Sequence, residues 1–295
     1  MKPTSSSYSQ LAKDIEKSLR TLIHERVKEP KAKEIYEYAL FPPGKLFRPL
    51  LAYSLALDID PEIQRAPKGR YGLTDIELFS AALEIHHVYT LCHDDLPCMD
   101  DDDFRRGKPS LHKAYSEGEA LLIGDGLLNL SYEILFHLQH TQGQKLGQYF
   151  AAKLGADGLI HGQKKDLSGE MKRSLNDLLE THRLKTGRLL EVSLWGGYLL
   201  ATREFDTSKA QTIEELGVAL GLVFQLLDDL GELCEDERLG EHEQDINPWP
   251  QPQTFDSCLE TTSQELDNVE RNVHELGLAG GHLADTLSQY FQKIQ

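Results

Sequence analysis

Two stretches of the chain repeat apolar residues at the three- and four-residue steps of an α-helix, and each carries an adjacent pair of aspartates. In residues 74–97 the repeated positions are Ile76, Phe79, Leu83, His87, Leu91 and Asp94. In residues 215–233 a polar stripe of Gly221, Gln225, Asp228 and Glu232 lies beside an apolar stripe of Leu216, Leu220, Val223 and Leu227. Because a period of 3.6 residues places such positions on one side of a helix, we predict two long amphipathic helices.

The first of these helices has recognisable ends. Thr74 and Glu77 have the spacing of a capping box, in which each side chain satisfies a backbone amide of the other, so the helix should begin there. Pro97 lacks an amide donor and should end or kink the helix. Asp94 therefore lies near the C-terminal end, where a carboxylate opposes the helix dipole unless a cation compensates it.

The rest of the chain also favours helices. Leu outnumbers Val about seven to one, and no stretch alternates apolar and polar residues for long, so we predict an all-α protein. The chain has 295 residues, of which 40% are hydrophobic, and we expect a single domain over 1–295. The main break in composition covers residues 235–255 and is typical of a long loop.

Charge and cysteine content exclude several classes of protein. The formal net charge of -17 opposes binding to nucleic acid and to anionic membranes, so an anionic ligand needs local cations or metal. The four cysteines form no CxxC pair, which suggests reduced thiols in a cytoplasmic protein. We see no signal peptide and no apolar segment of 18 residues, and therefore expect no membrane span.

The segment HDDLPCMDDDDFRRGKPS, residues 93–110, contains six aspartates and two arginines. Clustered aspartates without nearby His or Cys ligands favour Mg²⁺ over zinc, and the spacing does not fit an EF-hand. Either DD pair alone could be a solvated acidic turn. His87 lies two helical turns before Asp94, about 10 Å along the axis, and could line the same cavity or be a core histidine.

Basic residues accompany the aspartates. Arg105 and Arg106 follow them directly, and Lys45 and Arg48 follow a Pro-Pro-Gly turn. The planar guanidinium group suits phosphate oxygens. Together with metal-binding aspartates, these cations predict a pocket for two diphosphates, one held by metal and one by Lys and Arg.

These residues resemble the trans-isoprenyl diphosphate synthases, and most closely the bacterial farnesyl diphosphate synthases. The resemblance spans roughly residues 35–235 and rests on GKLFRP (44–49), EIHHVYTLCHDDLPCMDDDDFRRGKPS (84–110), GDGLLNLSYEIL (124–135), HGQKKDL (161–167), HRLKTGRLL (182–190) and GLVFQLLDDLGE (221–232). DDxxxxD combined with RRGxP is highly specific. The resemblance implies a helical bundle around a central active-site cavity, a homodimer, and two Asp-rich motifs that face each other.

The resemblance also assigns roles to residues of this chain. It implies that Asp94, Asp100 and Asp228 bind three Mg²⁺ ions, for which Mn²⁺ can substitute, with Asp95 supporting, and that Asp101, Asp102 and Asp103 have no such role. It implies that Arg105 and Lys185 hold the allylic diphosphate and that Thr186 and Gln225 border the carbocation. Isopentenyl diphosphate would be held by Lys45, Arg48, His87 and Arg106.

The implied reaction is a prenyl transfer. Diphosphate leaves an allylic carbon when metal and cations neutralise its charge, and the carbocation then alkylates isopentenyl diphosphate. The released diphosphate is thought to accept the proton, so no general-base dyad is needed. Tyr89 lies five residues before Asp94, and in bacterial members an aromatic there, with the DDxxxxD insertion, accompanies a C15 product. We therefore expect farnesyl diphosphate from dimethylallyl or geranyl diphosphate. On its own, Tyr89 could equally be a core aromatic.

The chain departs from the family pattern at three places. Glu232 replaces the third aspartate of the second motif, Leu46 replaces an arginine, and the loop containing DINPWPQP, residues 245–252, lacks the usual lysine. Arg238 is the only cation near the second motif in the sequence. These departures leave two alternatives open: a catalytically weak subunit that binds and modulates a partner synthase, and a terpene cyclase, which would have no use for the isopentenyl site.

Overall fold

We describe the fold from a computed structural model, which covers the backbone of residues 5–239 and 255–292 and the side chains of residues 8–231 and 256–292. The described chain is mostly helical, which confirms the predicted all-α class. One feature was not predicted: a two-stranded antiparallel hairpin of β1, Phe104–Arg105, and β2, Lys108–Pro109.

The α-helices are numbered in chain order. Their bounds are α1 Ser5–Arg26, α2 Pro30–Leu40, α3 Phe47–Ile59, α4 Asp75–Asp94, α5 Leu111–Ala114, α6 Glu117–Leu135, α7 Gly143–Leu154, α8 Leu159–Leu167, α9 Leu175–His182, α10 Arg188–Ala201, α11 Thr207–Leu239, α12 Phe255–Glu275 and α13 His282–Phe291. A π-helical turn, Arg183–Gly187, joins α9 to α10, and such turns are frequent at functional sites.

The chain divides into two compact units. The first contains Met1–Gly147, Gly196–Arg203 and Gly280–Gln295, and the second contains Gln148–Trp195 and Glu204–Ala279. In the first unit α4 packs against α1, α3 and α6, and in the second α11 packs against α9, α12 and the π-helical turn. The single domain over 1–295 stays a prediction.

Helix α4 begins as its sequence predicted. The Thr74 amide donates to Glu77 Oε2 at 2.7 Å, and the Glu77 amide donates to Thr74 Oγ1 at 3.4 Å, so both halves of the capping box form. The helix ends at Asp94, before Pro97. Thirteen of its twenty residues are buried, including Phe79 and Leu83, because it packs against neighbours on several sides.

Helix α11 differs from its prediction in two ways. It extends to Leu239, so the predicted loop over 235–255 is wrong for residues 235–239, and residues 240–254 lie outside the described residues. Its residues Thr207–Gly231 are also long and apolar enough to cross a membrane, contrary to the expectation that no such segment exists. Of its most apolar window, 61% is buried within the protein, and a core helix has the same properties.

The hairpin explains the RRG sequence. Arg106 and Gly107 form its two-residue turn with φ angles of 54° and 76°, the pattern of a type I′ turn, which glycine adopts without strain. Lys108 Nζ donates to the carbonyl oxygens of Tyr38 and Phe41, and the Tyr38 hydroxyl donates to Pro109 O at 2.8 Å. The hairpin is thus fastened to the end of α2, which fixes where Arg105 and Arg106 lie.

Candidate active site

In the first unit, residues 95–103 form an acidic loop between α4 and β1, which brings Asp100 close to Asp94 at the end of α4. The amide of Asp100 donates to the carbonyl oxygen of Asp94 at 2.8 Å, so the intervening residues form a closed turn. Asp94 is partly buried and Asp100 is exposed. Carboxylate oxygens in such an arrangement are the ligands that Mg²⁺ prefers, so these two residues fit the ion that the sequence suggested.

Asp95 has a different environment from its neighbour. Its side chain is 4% exposed, and its Oδ1 accepts hydrogen bonds from Arg105 Nε at 2.8 Å and Nη2 at 2.5 Å. Arg105 Nη2 also donates to Asp102 Oδ2 at 2.5 Å. Burial raises the pKa of Asp95, and Arg105 opposes that rise. Asp95 therefore orients Arg105, and its expected support of the metal ligands stays a prediction.

A second cluster in the same unit combines two arginines with a buried glutamate. Glu84 is 2% exposed, and its Oε1 lies 3.3 Å from Arg106 Nη2. Arg48 is partly buried in the first turn of α3, and its Nε has no hydrogen-bond partner. Burial lowers the pKa of Arg48, and Glu84 opposes this shift. The cluster therefore contains a guanidinium donor that an anion could satisfy.

His87 completes this cluster as a neutral side chain. Burial, and then the positive charge of Arg48 and Arg106, lower the pKa of His87 well below its usual value. A neutral imidazole still has one N–H donor. His87 can therefore donate a hydrogen bond to a diphosphate without adding a buried charge.

Lys45 and Leu46 lie just before α3. Lys45 is exposed, and its Nζ lies 5.3 Å from the centre of the Tyr290 ring. Leu46 has a left-handed φ of 53°, and its side chain is 5% exposed. The side chain that stands where the family has an arginine is thus in the core, and it contributes no charge to the site.

Tyr89 is a buried residue of α4, 4% exposed. Its ring meets the rings of His86 and His93 edge to face, with centroids 4.5 Å and 5.8 Å apart. Burial raises the pKa of its hydroxyl, which stays protonated. Tyr89 is thus a rigid, bulky part of α4, which is what a chain-length stop needs.

In the second unit, the π-helical turn positions Lys185 and Thr186. Lys185 Nζ donates to Asp166 Oδ2 of α8, and Thr186 Oγ1 donates to Gln225 Oε1 of α11 at 2.5 Å. The helices approach closely because Gly221 has no side chain: an added Cβ would lie 2.3 Å from the Cα of Gly187. Lys185, which is expected to hold the allylic diphosphate, therefore lies next to Thr186 and Gln225, which are expected to border the carbocation.

In the second motif, as in the first, the two adjacent aspartates differ in their exposure to solvent. Asp228 is exposed on α11, whereas Asp229 is 4% exposed and its Oδ2 lies 3.0 Å from Nε2 of the buried His182. Asp228 is the member that can reach an ion, and Asp229 is held by α9. The side chains of Glu232 and Arg238 and the segment 245–252 lie outside the described residues.

The structure thus groups most predicted site residues into two sets. The first unit contains Lys45, Arg48, His87, Tyr89, Asp94, Asp95, Asp100, Arg105 and Arg106, and the second contains Lys185, Thr186, Gln225 and Asp228. The facing of the two acidic motifs and the assigned roles stay predictions.

Sequence reasoning missed three residues that hold others in place: Glu84, Asp166 and His182. Glu84 could have been noticed as a carboxylate in an otherwise apolar helical stretch, where a charge needs a partner. Asp166 and His182 are in motifs of the resemblance, but nothing in the sequence pairs them with Lys185 or Asp229.

The chain is similar to known proteins in sequence and in fold. The polyprenyl synthetase family profile matches residues 29–268. Farnesyl diphosphate synthase of Geobacillus stearothermophilus is 32% identical over 275 residues, covering 88% of each chain. Geranylgeranyl diphosphate synthase of Cereibacter sphaeroides is 37% identical over 205 residues, covering 69% of this chain and 66% of its own. The structure of a geranyltransferase from Legionella pneumophila has a TM-score of 0.80 and 30% identity, covering 97% of this chain and 95% of its own. The chain belongs to the polyprenyl synthetase family.

Proposed function

We propose that this chain is a magnesium-dependent farnesyl diphosphate synthase, which condenses dimethylallyl or geranyl diphosphate with isopentenyl diphosphate and releases diphosphate. Membership of the polyprenyl synthetase family shows that the chain condenses prenyl diphosphates, and the proposal adds the substrates and the product. The observation that carries the proposal is the pairing, within one unit, of the Asp94–Asp100 turn with the cluster of Arg48, Arg106 and His87.

Asp94 and Asp100 would hold magnesium in the first unit, and Asp228 would do so in the second. Bound magnesium supplies neutralisation of the negative charge that develops on the departing diphosphate. Asp95 would take the supporting role, because its side chain is 4% exposed and its Oδ1 accepts two hydrogen bonds from Arg105.

The arginine cluster would bind isopentenyl diphosphate. Arg48 and Arg106 supply guanidinium donors, Lys45 an exposed ammonium group, and His87 a neutral N–H donor. Glu84 partly offsets the charge of the two partly buried arginines when the site holds no diphosphate, since its Oε1 is 3.3 Å from Arg106 Nη2. This arrangement lets a basic pocket exist in the protein interior with reduced repulsion.

Arg105 and Lys185 would hold the allylic diphosphate, each oriented by a carboxylate: Asp95 for Arg105 and Asp166 for Lys185. Thr186 donates its hydroxyl proton to Gln225, so the Thr186 oxygen keeps lone pairs that can face a carbocation. No protein base is required, because the released diphosphate can accept the proton.

Consumption of isopentenyl diphosphate by the purified chain tests this proposal. With geranyl diphosphate and Mg²⁺ we expect turnover, and in Asp94→Asn we expect a loss of orders of magnitude, because a metal ligand is removed. Turnover of Asp94→Asn close to that of the unmodified chain would contradict the metal assignment.

The second candidate is a catalytically weak binding subunit. Two features of the sequence favour it: Glu232 stands in place of the third aspartate of the second motif, and no lysine occurs from Ala210 to Gln292. Under that function the chain alone would bind isopentenyl diphosphate but not consume it. The same assay therefore separates the two functions. A terpene cyclase would instead consume the allylic substrate alone.

We propose that the ring of Tyr89 limits the length of the product. We expect the unmodified chain to stop at C15, and Tyr89→Ala to yield C20 or longer products, because removal of the ring opens space below Asp94. Tyr89→Phe is the control, since it keeps the ring and should still stop at C15. If Tyr89→Ala also stops at C15, the residue that limits chain length lies elsewhere. Product chromatography decides between these results.

We also propose that the protein is a cytoplasmic homodimer that binds no nucleic acid, as its resemblance and its charge suggest. Sedimentation of the purified chain would test the dimer.

A further inference from the structure

Three side chains outside the proposed substrate site lie close enough to share an ion. The potential ligand atoms of Asp101, Asp103 and His112 are all within 4.8 Å of one another. Nε2 of His112 is 3.9 Å from Oδ1 of Asp101. Asp101 and Asp103 are exposed residues of the acidic loop, whereas His112 is in α5.

His112 provides an observation that is independent of the acidic residues. It is 7% exposed, and its buried Nε2 has no hydrogen-bond partner. Its other nitrogen, Nδ1, lies 3.1 Å from Oγ of the buried Ser110. In the tautomer in which Nδ1–H donates to Ser110, Nε2 carries a lone pair directed toward the two carboxylates. A buried acceptor without a partner is costly, so this atom indicates a missing ligand.

We propose that Asp101, Asp103 and His112 bind a divalent transition-metal ion, for which zinc is the best fit. Zinc takes imidazole nitrogen and carboxylate oxygen at about 2.0 to 2.2 Å, which places tetrahedral ligands about 3.4 Å apart. From separations of at most 4.8 Å, the ligand atoms need to approach one another by up to about 1.4 Å, which the exposed aspartate side chains achieve by rotation. Mg²⁺ is disfavoured here, because it prefers oxygen ligands and an octahedral shell.

The hydrogen bond from His112 to Ser110 has the form of known metal-site support. A ligating histidine commonly donates its second N–H to a neighbouring acceptor, which fixes the ring and the tautomer. In the tautomer proposed here the acceptor is Oγ of Ser110, the residue just before α5, whose backbone amide also donates to the carbonyl oxygen of Asp103 at 2.9 Å. Ser110 thus connects the imidazole ligand to the acidic loop.

The ion would fasten the acidic loop to α5. It would use side chains other than Asp94 and Asp100, to which we assigned magnesium, so the two kinds of site can be occupied together. Asp101 already has a left-handed φ of 52°, and its amide donates to the carbonyl oxygen of Leu96 at 3.2 Å. Metal binding would stabilise this turn, which directly follows Asp100.

Lys113 is the nearest competitor for the site. Its Nζ lies 2.8 Å from Oδ1 of Asp103, and its side chain is exposed. A carboxylate has a second oxygen, so the lysine does not block coordination, but its charge opposes that of the ion. Lys113→Met should therefore tighten metal binding by up to about fivefold, the size of a surface ion pair.

Calorimetric titration of the full chain with Zn²⁺, in excess Mg²⁺, tests the site. We expect binding that is lost in Asp101→Asn/Asp103→Asn and in His112→Gln, and that is about 10- to 100-fold weaker in Ser110→Ala. It should persist in Asp94→Asn/Asp100→Asn. The paired Asp101 and Asp103 variant changes exposed residues, so its melting temperature without zinc should match that of the unmodified chain.

A second readout is the imidazole NMR signal of His112, identified by its loss in His112→Gln. Zinc should shift this signal in the unmodified chain and in Lys113→Met. Absence of zinc binding in excess Mg²⁺ would overturn the proposal. So would binding that survives Asp101→Asn/Asp103→Asn but is lost in Asp94→Asn/Asp100→Asn, because the ion would then occupy the magnesium ligands.

Discussion

Asp95 and Arg105 should contribute more to stability than any exposed ion pair of the acidic loop. Asp95 is 4% exposed and Arg105 34% exposed, and two hydrogen bonds of 2.8 Å and 2.5 Å join them. Breaking a buried ion pair costs about 3 to 5 kcal/mol, because one charge is left without its partner. Arg105 is one-third exposed and keeps Asp102, so we expect about 1.5 to 3 kcal/mol for Asp95→Asn.

The opposite truncation should cost more. In Arg105→Met the Asp95 carboxylate loses its cation, and burial already raises the pKa of that carboxyl. The variant must then either bury an unpaired charge or protonate Asp95. We therefore expect Arg105→Met to lower the free energy of unfolding by more than Asp95→Asn does.

Urea unfolding of a double-mutant cycle measures the interaction itself. The variants are Asp95→Asn, Arg105→Met and their combination, and we expect a coupling energy of about 1.5 to 3 kcal/mol. The matched control is Asp102→Asn. Its carboxylate also lies 2.5 Å from Arg105 Nη2 but is 49% exposed, so its coupling should be about 0.2 to 1 kcal/mol.

Two results would refute this reasoning. The first is a coupling energy for Asp95 no larger than that for Asp102, which would mean that burial does not strengthen the pair. The second is a loss of Mg²⁺ affinity in Asp95→Asn as great as that in Asp94→Asn, which would make Asp95 a ligand instead of a support for Arg105.

Two other predictions follow from buried side chains. Because burial and Arg48 lower the pKa of His87, only the unfolded state gains this proton below about pH 6.5, and stability is lost as the pH falls. Between pH 7 and pH 5, the free energy of unfolding measured in urea should fall by about 2 kcal/mol less in His87→Asn than in the unmodified chain. An equal fall in both proteins would contradict this prediction. Asp229→Asn should destabilise by about 1.5 to 3 kcal/mol through its bond to His182, and the exposed Asp228→Asn by about 0.5 kcal/mol or less; equal effects would contradict the assignment.

The sequence predicts the fold well where a local signal decides the structure. The capping box at Thr74 is local and is confirmed. The helical form of α4 is also confirmed, but the predicted one-sided apolar stripe is wrong, because residues on the opposite side such as Leu78 and Ile85 are buried as well. The hairpin at Phe104 was not predicted, because its strands have two residues each and are held by Lys108 and Tyr38, which are far apart in sequence. The end of α11 was missed because acidic, polar residues such as those after Cys234 favour helix and loop about equally.

For the site, the sequence identifies residue types better than it identifies partners. Asp94, Asp100 and Arg105 were singled out through the DDxxxxD and RRGxP motifs of the resemblance. The 2.8 Å hydrogen bond from the Asp100 amide to the Asp94 carbonyl oxygen shows how the five residues between these aspartates are accommodated in a turn. The contacts of Glu84 with Arg106 and of His182 with Asp229 join segments 22 and 47 residues apart. No local pattern encodes such contacts, because packing of separate helices creates them.

The two DD pairs share one physical logic. Adjacent residues of a helix are about 100° apart around its axis, so two neighbouring aspartates cannot both point toward one ion. In each unit the first aspartate is the more exposed member, and the second is buried and needs a positive or hydrogen-bonding partner: Arg105 for Asp95 and His182 for Asp229. The second aspartate thus joins its helix to another segment, and we expect this contact to orient the first aspartate toward the proposed metal. Arg105 and His182 therefore belong to the two acidic motifs as much as the aspartates do.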